Sequence, residues 1–513
     1  MSFYITTPIY YVNAQPHLGH AYTTIAADVM ARHQRQRGED VFFLTGTDEH
    51  GEPVADAARD QGVTPQELAD RNAERFKALA PRLDASNDFF IRTTDEEHKR
   101  RVQEVLQNVH DNGYTYKGLY EGWYCPRCAD FKVENEILEG NRCPIHEIEL
   151  ELHQEENWFF RLSAFQEQLE ELYAEQRDFV MPSVRYNEAL AFITSGLQDI
   201  SLSRQRLQWG VTVPWDPDHV FYVWFDALLN YYTALGYAPA PPTKSVVSEN
   251  LTDRFWPATY HIIGKDILKF HTVFWPAMLM AARLPVPQHV FVHGFLLGAD
   301  GRKMSKSLGN VLDPFEVIDQ FGVDALRFYL MRDVPFGSDG SVGMDAVTAR
   351  YETQLANDYG NLASRTIAMI RRYRDGVVPD VATDPELAAE FDGLCERVSA
   401  LLGVAEVTGA LEEIWQRVRR CNRYVEERAP WQLAKDPGSA AALDQTLASL
   451  AEGVRVISVL LAAYIPESAG KLLDVLDAPD IALSGAAFAP TGGGRTVAAL
   501  EPLFPKRAAA PAQ

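Results

Sequence analysis

Five cysteines in 513 residues are too few for a disulfide framework and point to a reducing compartment, so a cytoplasmic setting is expected. No run of about 18 or more apolar residues occurs, which excludes a membrane-spanning helix. The opening stretch MSFYITTPIYYVNAQPHLGH lacks the basic segment and long apolar core of a signal peptide, and it reads as a strand of the fold. Basic residues are scarce too. Lys and Arg number 48 against 71 Asp and Glu, a formal net charge of −23. Such an acidic body disfavours phosphate binding, so any nucleic-acid contact requires local basic patches.

Apolar residues are plentiful, at 46% of a chain too long for one hydrophobic core, so several domains are expected. Residues 3–11 read as a strand, and a helix is predicted from about Leu18 to Arg37, ended by Gly38. VFFLT (41–45) has the pattern of a buried strand and runs into the polar loop GTDEHG. Thr64, Pro65 and Glu67 predict a capped helix start. Strand alternating with helix predicts an α/β fold with an open, mostly parallel sheet. The pattern breaks over about 115–222, read as an insertion, and returns with YHIIGKD (260–266) and HVFVHGFLL (289–297). From about 348 the spacing is helical, with loops at 375–385 and 478–495.

Three local patterns carry chemistry. His17-Leu18-Gly19-His20 sits where the first strand gives way to the first helix, a position where helix N–H groups meet phosphates. Gly19 leaves room for close approach, and the bland alternative is a pair of surface histidines beside a turn. Lys303-Met304-Ser305-Lys306-Ser307 follows a strand and a polar turn, and is either a cationic loop for a triphosphate or a solvated lysine loop. Cys125 and Cys128, then Cys143 and His146, make two knuckle-like turns whose four donors suit one structural Zn²⁺. A redox pair or unrelated surface thiols are the alternatives, but a redox motif does not need the second half-site.

HLGH followed far downstream by KMSKS, each after a strand in an α/β pattern, resembles the signature of class I aminoacyl-tRNA synthetases. The segments PIYYVN (8–13), TGTDEHG (45–51), FYVWFDALLNYY (221–232) and IGKDILKFHTVFWPAM (263–278) resemble the methionyl family within that class. The resemblance implies a Rossmann-type parallel sheet with a zinc-binding connective insertion, followed by an all-α anticodon-binding bundle. Its divisions would be 1–114 and 223–290 for the two catalytic halves, 115–222 for the insertion, 291–347 for the KMSKS and stem-contact region, and 348–513 for the bundle. It implies activation of L-methionine with ATP and Mg²⁺, then transfer to methionine tRNA, initiator and elongator. His17, Gly19, His20 and residues 303–307 would serve ATP. Ile9, Tyr11, Asp48, Trp224, Tyr231, Ile267, His271 and Trp275 would form the methionine pocket, with Asp48 holding the ammonium.

The spacing of Ile267, His271 and Trp275 predicts one shared helix face. Thioethers pack well against aromatic rings, although Trp224, Tyr231 and Trp275 read equally as core aromatics on composition alone. Basic patches do occur. Residues 361–374 hold four arginines and no acid, and 415–428 hold five arginines against two glutamates. The resemblance gives Asn361, Arg365 and Trp431 to the anticodon, with Pro430 stopping a helix so that Trp431 lies beside a loop; a solvated arginine face is the alternative. Family dimerisation often resides in an appended domain not found after the bundle here, so a monomer is expected. A non-catalytic tRNA-binding relative, a synthetase for another amino acid, and a small-molecule nucleotidyltransferase are the competing readings.

Overall fold

The computed structural model describes residues 2–13, 15–127, 130–132, 137–241, 250–304 and 311–505. The chain forms two compact units, residues 1–16, 41–82 and 86–293, and residues 17–40, 83–85 and 294–513.

A six-stranded sheet organises the first unit. In chain order its strands are β1 (Ser2–Tyr11), β2 (Asp40–Asp48), β3 (Phe89–Arg92), β4 (Val180–Met181), β5 (Tyr260–Gly264) and β6 (His289–His293), and they lie in the order β3-β2-β1-β5-β6-β4. The β2–β3, β1–β5, β5–β6 and β6–β4 pairs are parallel. β1 and β2 are buried along most of their length, as expected for strands covered on both faces, which is why VFFLT reads as a continuous apolar run. Gly46 permits the approach of β2 to β3, since a Cβ there would lie 2.1 Å from the carbonyl oxygen of Ile91. Strand order reverses between β1 and β5, and open α/β sheets hold ligands beyond the carboxyl ends of strands at such a point. The ends of β1, β2 and β5 are Tyr11, Asp48 and Gly264.

The predicted helix start at Thr64 is present. Thr64 Oγ1 accepts from the N–H of Glu67 at 3.2 Å, and Glu67 Oε2 accepts from the N–H of Thr64 at 2.9 Å. The insertion carries an antiparallel sheet of Thr115–Cys125, Asp130–Lys132, Glu151–Phe160 and Ile200–Ser201. It is not one continuous excursion over 115–222, because β4 returns from its middle to edge the parallel sheet beside β6. A two-residue strand is too short to carry a periodic signal. Likewise β6 runs through His293, past the expected division at 290.

The second unit is mainly helical from Pro314–Phe321 onward, with a two-residue strand at Gly340–Ser341 that pairs with Leu296–Leu297. Its longest helices are Val407–Arg428 and Ala440–Leu461, and the latter is buried on all sides from Thr446 to Leu461. The helix Leu18–Gln36, expected with the N-terminal α/β half, belongs to this unit. A buried ion pair is among the contacts that join it there. Arg327 and Asp28 are both fully buried and meet at 2.7 Å, and Arg327 also donates to the carbonyls of Leu83, Ala463 and Tyr464. A buried guanidinium is tolerable only with its donors satisfied in this way. The two segments read as loops in the bundle lie against each other, bridging at Val377–Thr496 and Ala382–Thr491. Among the described residues, no helix is long and apolar enough to cross a membrane.

Candidate functional site

The eight side chains assigned to the pocket divide into two layers in the first unit. Ile9, Tyr11, Trp224 and Ile267 are partly buried, whereas Asp48, Tyr231, His271 and Trp275 are fully or nearly fully buried. Trp224 stacks on Phe270 with ring centroids 3.8 Å apart and planes 9° from parallel, and meets His271 edge-on at 6.4 Å. Behind it, Tyr231 Oη lies 2.8 Å from His271 Nε2, and His271 Nδ1 lies 3.1 Å from the carbonyl of Ile267. A carbonyl only accepts, so Nδ1 carries the hydrogen and Nε2 accepts from the tyrosine. Burial lowers the His271 pKa to about 4, which keeps the ring neutral at neutral pH, and the Ile267 carbonyl selects the tautomer.

The single helix face expected for Ile267, His271 and Trp275 takes another form. A 3₁₀ turn at Lys265–Ile267 leads into a π-helical turn at Phe270–Phe274 and then the α-helix Trp275–Ala281. Single π turns often mark functional sites. Trp275 donates its indole N–H to His261 Nε2 at 3.2 Å, and His261 Nδ1 lies 2.8 Å from Thr6 Oγ1, so the buried layer is tied to β1 and β5.

Asp48 closes the carboxyl end of β2. It is buried, and its Oδ1 has no hydrogen-bond partner among the described residues. Burial, with the nearby charges of Asp226 and Glu49, pushes its carboxyl well above the usual range, against one opposing hydrogen bond from the N–H of His50. A carboxylate in this state gains from any cation that reaches it.

Sequence reading missed a polar cluster beside it. Asp226 is buried in the helix Val223–Thr233, with His50 Nδ1 at 2.5 Å from Oδ2 and His98 Nε2 at 2.7 Å from Oδ1. Burial alone would raise this carboxyl, but the two imidazoles bring it down to about 2. An acid inside the apolar run VWFDALL was the available signal; His98, from the helix Glu96–Asp111, and His261 gave none.

In the second unit, His17 is the N-cap of the helix Leu18–Gln36. Its Nδ1 accepts from the N–H of Gly19 at 3.1 Å, while His20 Nδ1 accepts from the N–H of His17 at 3.1 Å. With both Nδ1 atoms accepting, each ring carries its hydrogen on Nε2. The rings stack at 3.7 Å. Burial and the neighbouring His17 hold His20 well below the usual imidazole range. Gly19 leaves room for the His17 ring, because a Cβ there would lie 3.0 Å from His17 Cε1 and crowd the cap. Lys303 is exposed and bridges Leu297 across a tight turn in which Gly301 has φ +74°. Met304 follows it, and Ser305, Lys306 and Ser307 lie outside the described residues.

Three of the four expected metal ligands come together. His146 Nδ1 is 3.8 Å from Cys125 Sγ and 3.9 Å from Cys143 Sγ, and the three donors lie within 4.8 Å of one another. Tetrahedral Zn²⁺ with bonds of about 2.0–2.3 Å sets its ligands roughly 3.5–3.8 Å apart, so the set fits with small adjustment. Both cysteines are fully buried, with Leu150, in a very small core of their own. Cys128 lies outside the described residues.

In the bundle, Arg365 lies over Trp431, with its guanidinium 5.4 Å from the ring centroid, and pairs with Glu426 at 2.9 Å. Asn361 is exposed one turn earlier on the helix Asn361–Arg374. The helix Val407–Arg428 ends at Ala429, whose φ is +41°, and Pro430 opens a one-turn helix, Pro430–Leu433, so Trp431 lies in a helix and not beside a loop. The basic patches are also less cationic than composition suggests. Arg374, Arg417, Arg419 and Arg420 pair with Asp444, Glu413, Glu412 and Glu427, whereas Arg371, Arg372, Arg423 and Arg428 have no ion pair among the described residues.

A family model described as tRNA synthetases class I (M) matches residues 3–149 and 132–367. A methionine–tRNA ligase of Brucella melitensis is 44% identical over 514 residues, 98% of this chain and 98% of its own length. One from Caldanaerobacter subterraneus is 46% identical over 479 residues, 93% of this chain and 74% of its own length. The Mycobacterium tuberculosis methionyl-tRNA synthetase, solved in complex with methionyl-adenylate, superposes with a TM-score of 0.92 at 41% identity, covering 98% of this chain and 100% of that one. With the doubly wound sheet, the HLGH-capped helix and full-length similarity agreeing, the chain belongs to the methionyl family of class I tRNA synthetases.

Proposed function

We propose that this chain activates L-methionine with ATP and then loads methionine tRNA, both initiator and elongator. A methionine carboxylate oxygen attacks the α-phosphorus of ATP, pyrophosphate leaves, and methionyl-adenylate forms. A ribose hydroxyl of the tRNA terminal adenosine then attacks the acyl carbon and AMP leaves. The observation that carries the reading is the buried Asp48 carboxylate, whose unpartnered Oδ1 stands at the carboxyl end of β2 as the partner for a substrate ammonium. The aromatic and aliphatic side chains of Ile9, Tyr11, Trp224 and Ile267 suit an unbranched thioether.

The attacking carboxylate is already a nucleophile, so no protein base is needed, and the protein contributes position and charge stabilisation. His17 and His20 present Nε2–H donors to ATP phosphates, and Lys303 and Lys306 hold charge moving onto pyrophosphate, with Mg²⁺ accompanying the triphosphate. The test is amino-acid-dependent exchange of pyrophosphate into ATP, with the twenty standard amino acids offered singly. Exchange with methionine alone supports the reading. Exchange with another amino acid overturns the pocket, and no exchange with any overturns the activity.

Zn²⁺ is the metal that Cys125, Cys128, Cys143 and His146 suit, in a closed structural site. So small a core cannot hold the knuckle unaided, and structural zinc in finger peptides contributes about 10–16 kcal/mol. Cys143→Ser should therefore lose bound zinc and expose residues 125–148 to limited proteolysis. Retained protection in a zinc-free variant would refute a metal-held knuckle.

Asn361, Arg365 and Trp431 read the anticodon in this proposal, the indole offering a stacking face. Base–aromatic stacking is worth about 1–3 kcal/mol, so Trp431→Ala should raise the KM for methionine tRNA roughly 5- to 150-fold. Pyrophosphate exchange should stay within twofold of wild type. A matching loss in exchange would place Trp431 in the bundle's structural core instead.

A further inference from the structure

We propose that Asp226 is a positioning residue for the α-ammonium of the amino-acid substrate, acting through His50. This rests on the methionine-activating reading above. His50 is a three-way pivot. Its backbone N–H favours the ionised form of the Asp48 carboxyl, its carbonyl accepts from Tyr11 Oη at 2.9 Å, and its Nδ1 meets Asp226 Oδ2 at 2.5 Å. The placing of Tyr11, and the backbone dipole that Asp48 meets, therefore follow from where Asp226 holds this one residue.

Asp226 is itself fixed from the far side. His98 Nε2 meets its Oδ1 at 2.7 Å, and His98 Nδ1 meets Thr233 Oγ1 at 2.7 Å. A threonine hydroxyl can donate to Nδ1, which leaves the hydrogen on Nε2 for Asp226. The turn has little freedom to slip. Gly51 has φ +96° and a Cβ there would stand 2.5 Å from Tyr11 Oη, while Trp209 donates its indole N–H to the carbonyl of Glu49 at 2.7 Å. Among the described residues, the ion-pair partners of Asp226 are the two imidazoles, with no Lys or Arg among them. With its imidazole partners neutral, its charge acts in the low-dielectric interior near Asp48, where it favours a cation at Oδ1.

The test compares dissociation constants for three compounds on the full chain, read by tryptophan fluorescence. L-Methionine has ammonium and carboxylate, L-methioninol has only the ammonium, and 4-(methylthio)butanoate has only the carboxylate. Asp226→Asn keeps the shape and removes the charge. It should weaken methionine and methioninol roughly tenfold, the scale of charges several Å apart at intermediate dielectric, and leave the butanoate within twofold. His98→Gln, which loosens Asp226 from behind, should give the same selective pattern at roughly threefold, and it carries the test should Asp226→Asn not fold. Equal weakening of all three compounds, or of none, would overturn the proposal. A wild-type chain that binds no methionine would overturn the activity reading beneath it.

Discussion

Asp48→Asn should lower kcat/KM for methionine in pyrophosphate exchange by roughly 30- to 5,000-fold, with the KM for ATP unchanged. Removing one member of a buried charge pair costs about 2–5 kcal/mol, and asparagine offers the ammonium only a neutral carbonyl. Stability should move the other way. Burial and two neighbouring carboxylates raise the Asp48 carboxyl well above the usual range, so its ionised form opposes folding in the absence of substrate. The sign follows from that direction. Stability is withdrawn as pH rises above the ordinary carboxyl value of about 3.9 toward the raised folded value, and the asparagine variant escapes this loss. At neutral pH the variant should melt no lower than wild type, and a saturating methionine concentration should stabilise wild type alone. A variant that lost activity and melting temperature together would show Asp48 to be structural.

His20→Asn should reduce kcat of exchange by roughly 100- to 1,000-fold, the cost of removing one donor aimed at developing negative charge. Methionine affinity, measured by tryptophan fluorescence, should stay within twofold. The substitution separates chemistry from folding because the Asn side-chain oxygen can still accept the N–H of His17, which His20 Nδ1 accepts at 3.1 Å. The helix start is then preserved while the Nε2–H donor is lost. Equal losses in rate and in methionine binding would reject the phosphate role.

Much of the candidate site was legible because its parts are local. HLGH, the Cys143–His146 knuckle and the Thr64 cap each lie within about one turn of chain, and backbone hydrogen bonds at that range depend on few other residues. Gly19 was recognised, though its contact with the His17 ring was not, since that needed the rotamer of a neighbouring side chain. The sequence points to the aromatic residues of the candidate pocket, but not to their division into a partly buried wall and a buried layer. Spacing along a helix gives a face and says nothing of what packs behind it. The π-helical turn at Phe270–Phe274 also altered the winding that this spacing assumed.

The alternation of strand and helix, the His17–His20 cap and the Cys143–His146 turn were determined by the chain itself, through short-range periodicity and fixed local geometry. Tertiary structure alone decided that Val180–Met181 edges the parallel sheet, that Asp28 meets Arg327 across nearly 300 residues, and that acids neutralise most of the basic patches. It also decided that His50, His98 and Asp226 converge from three segments. Such partners are chosen by packing and by the need to satisfy buried charge, and neither leaves a pattern along the chain.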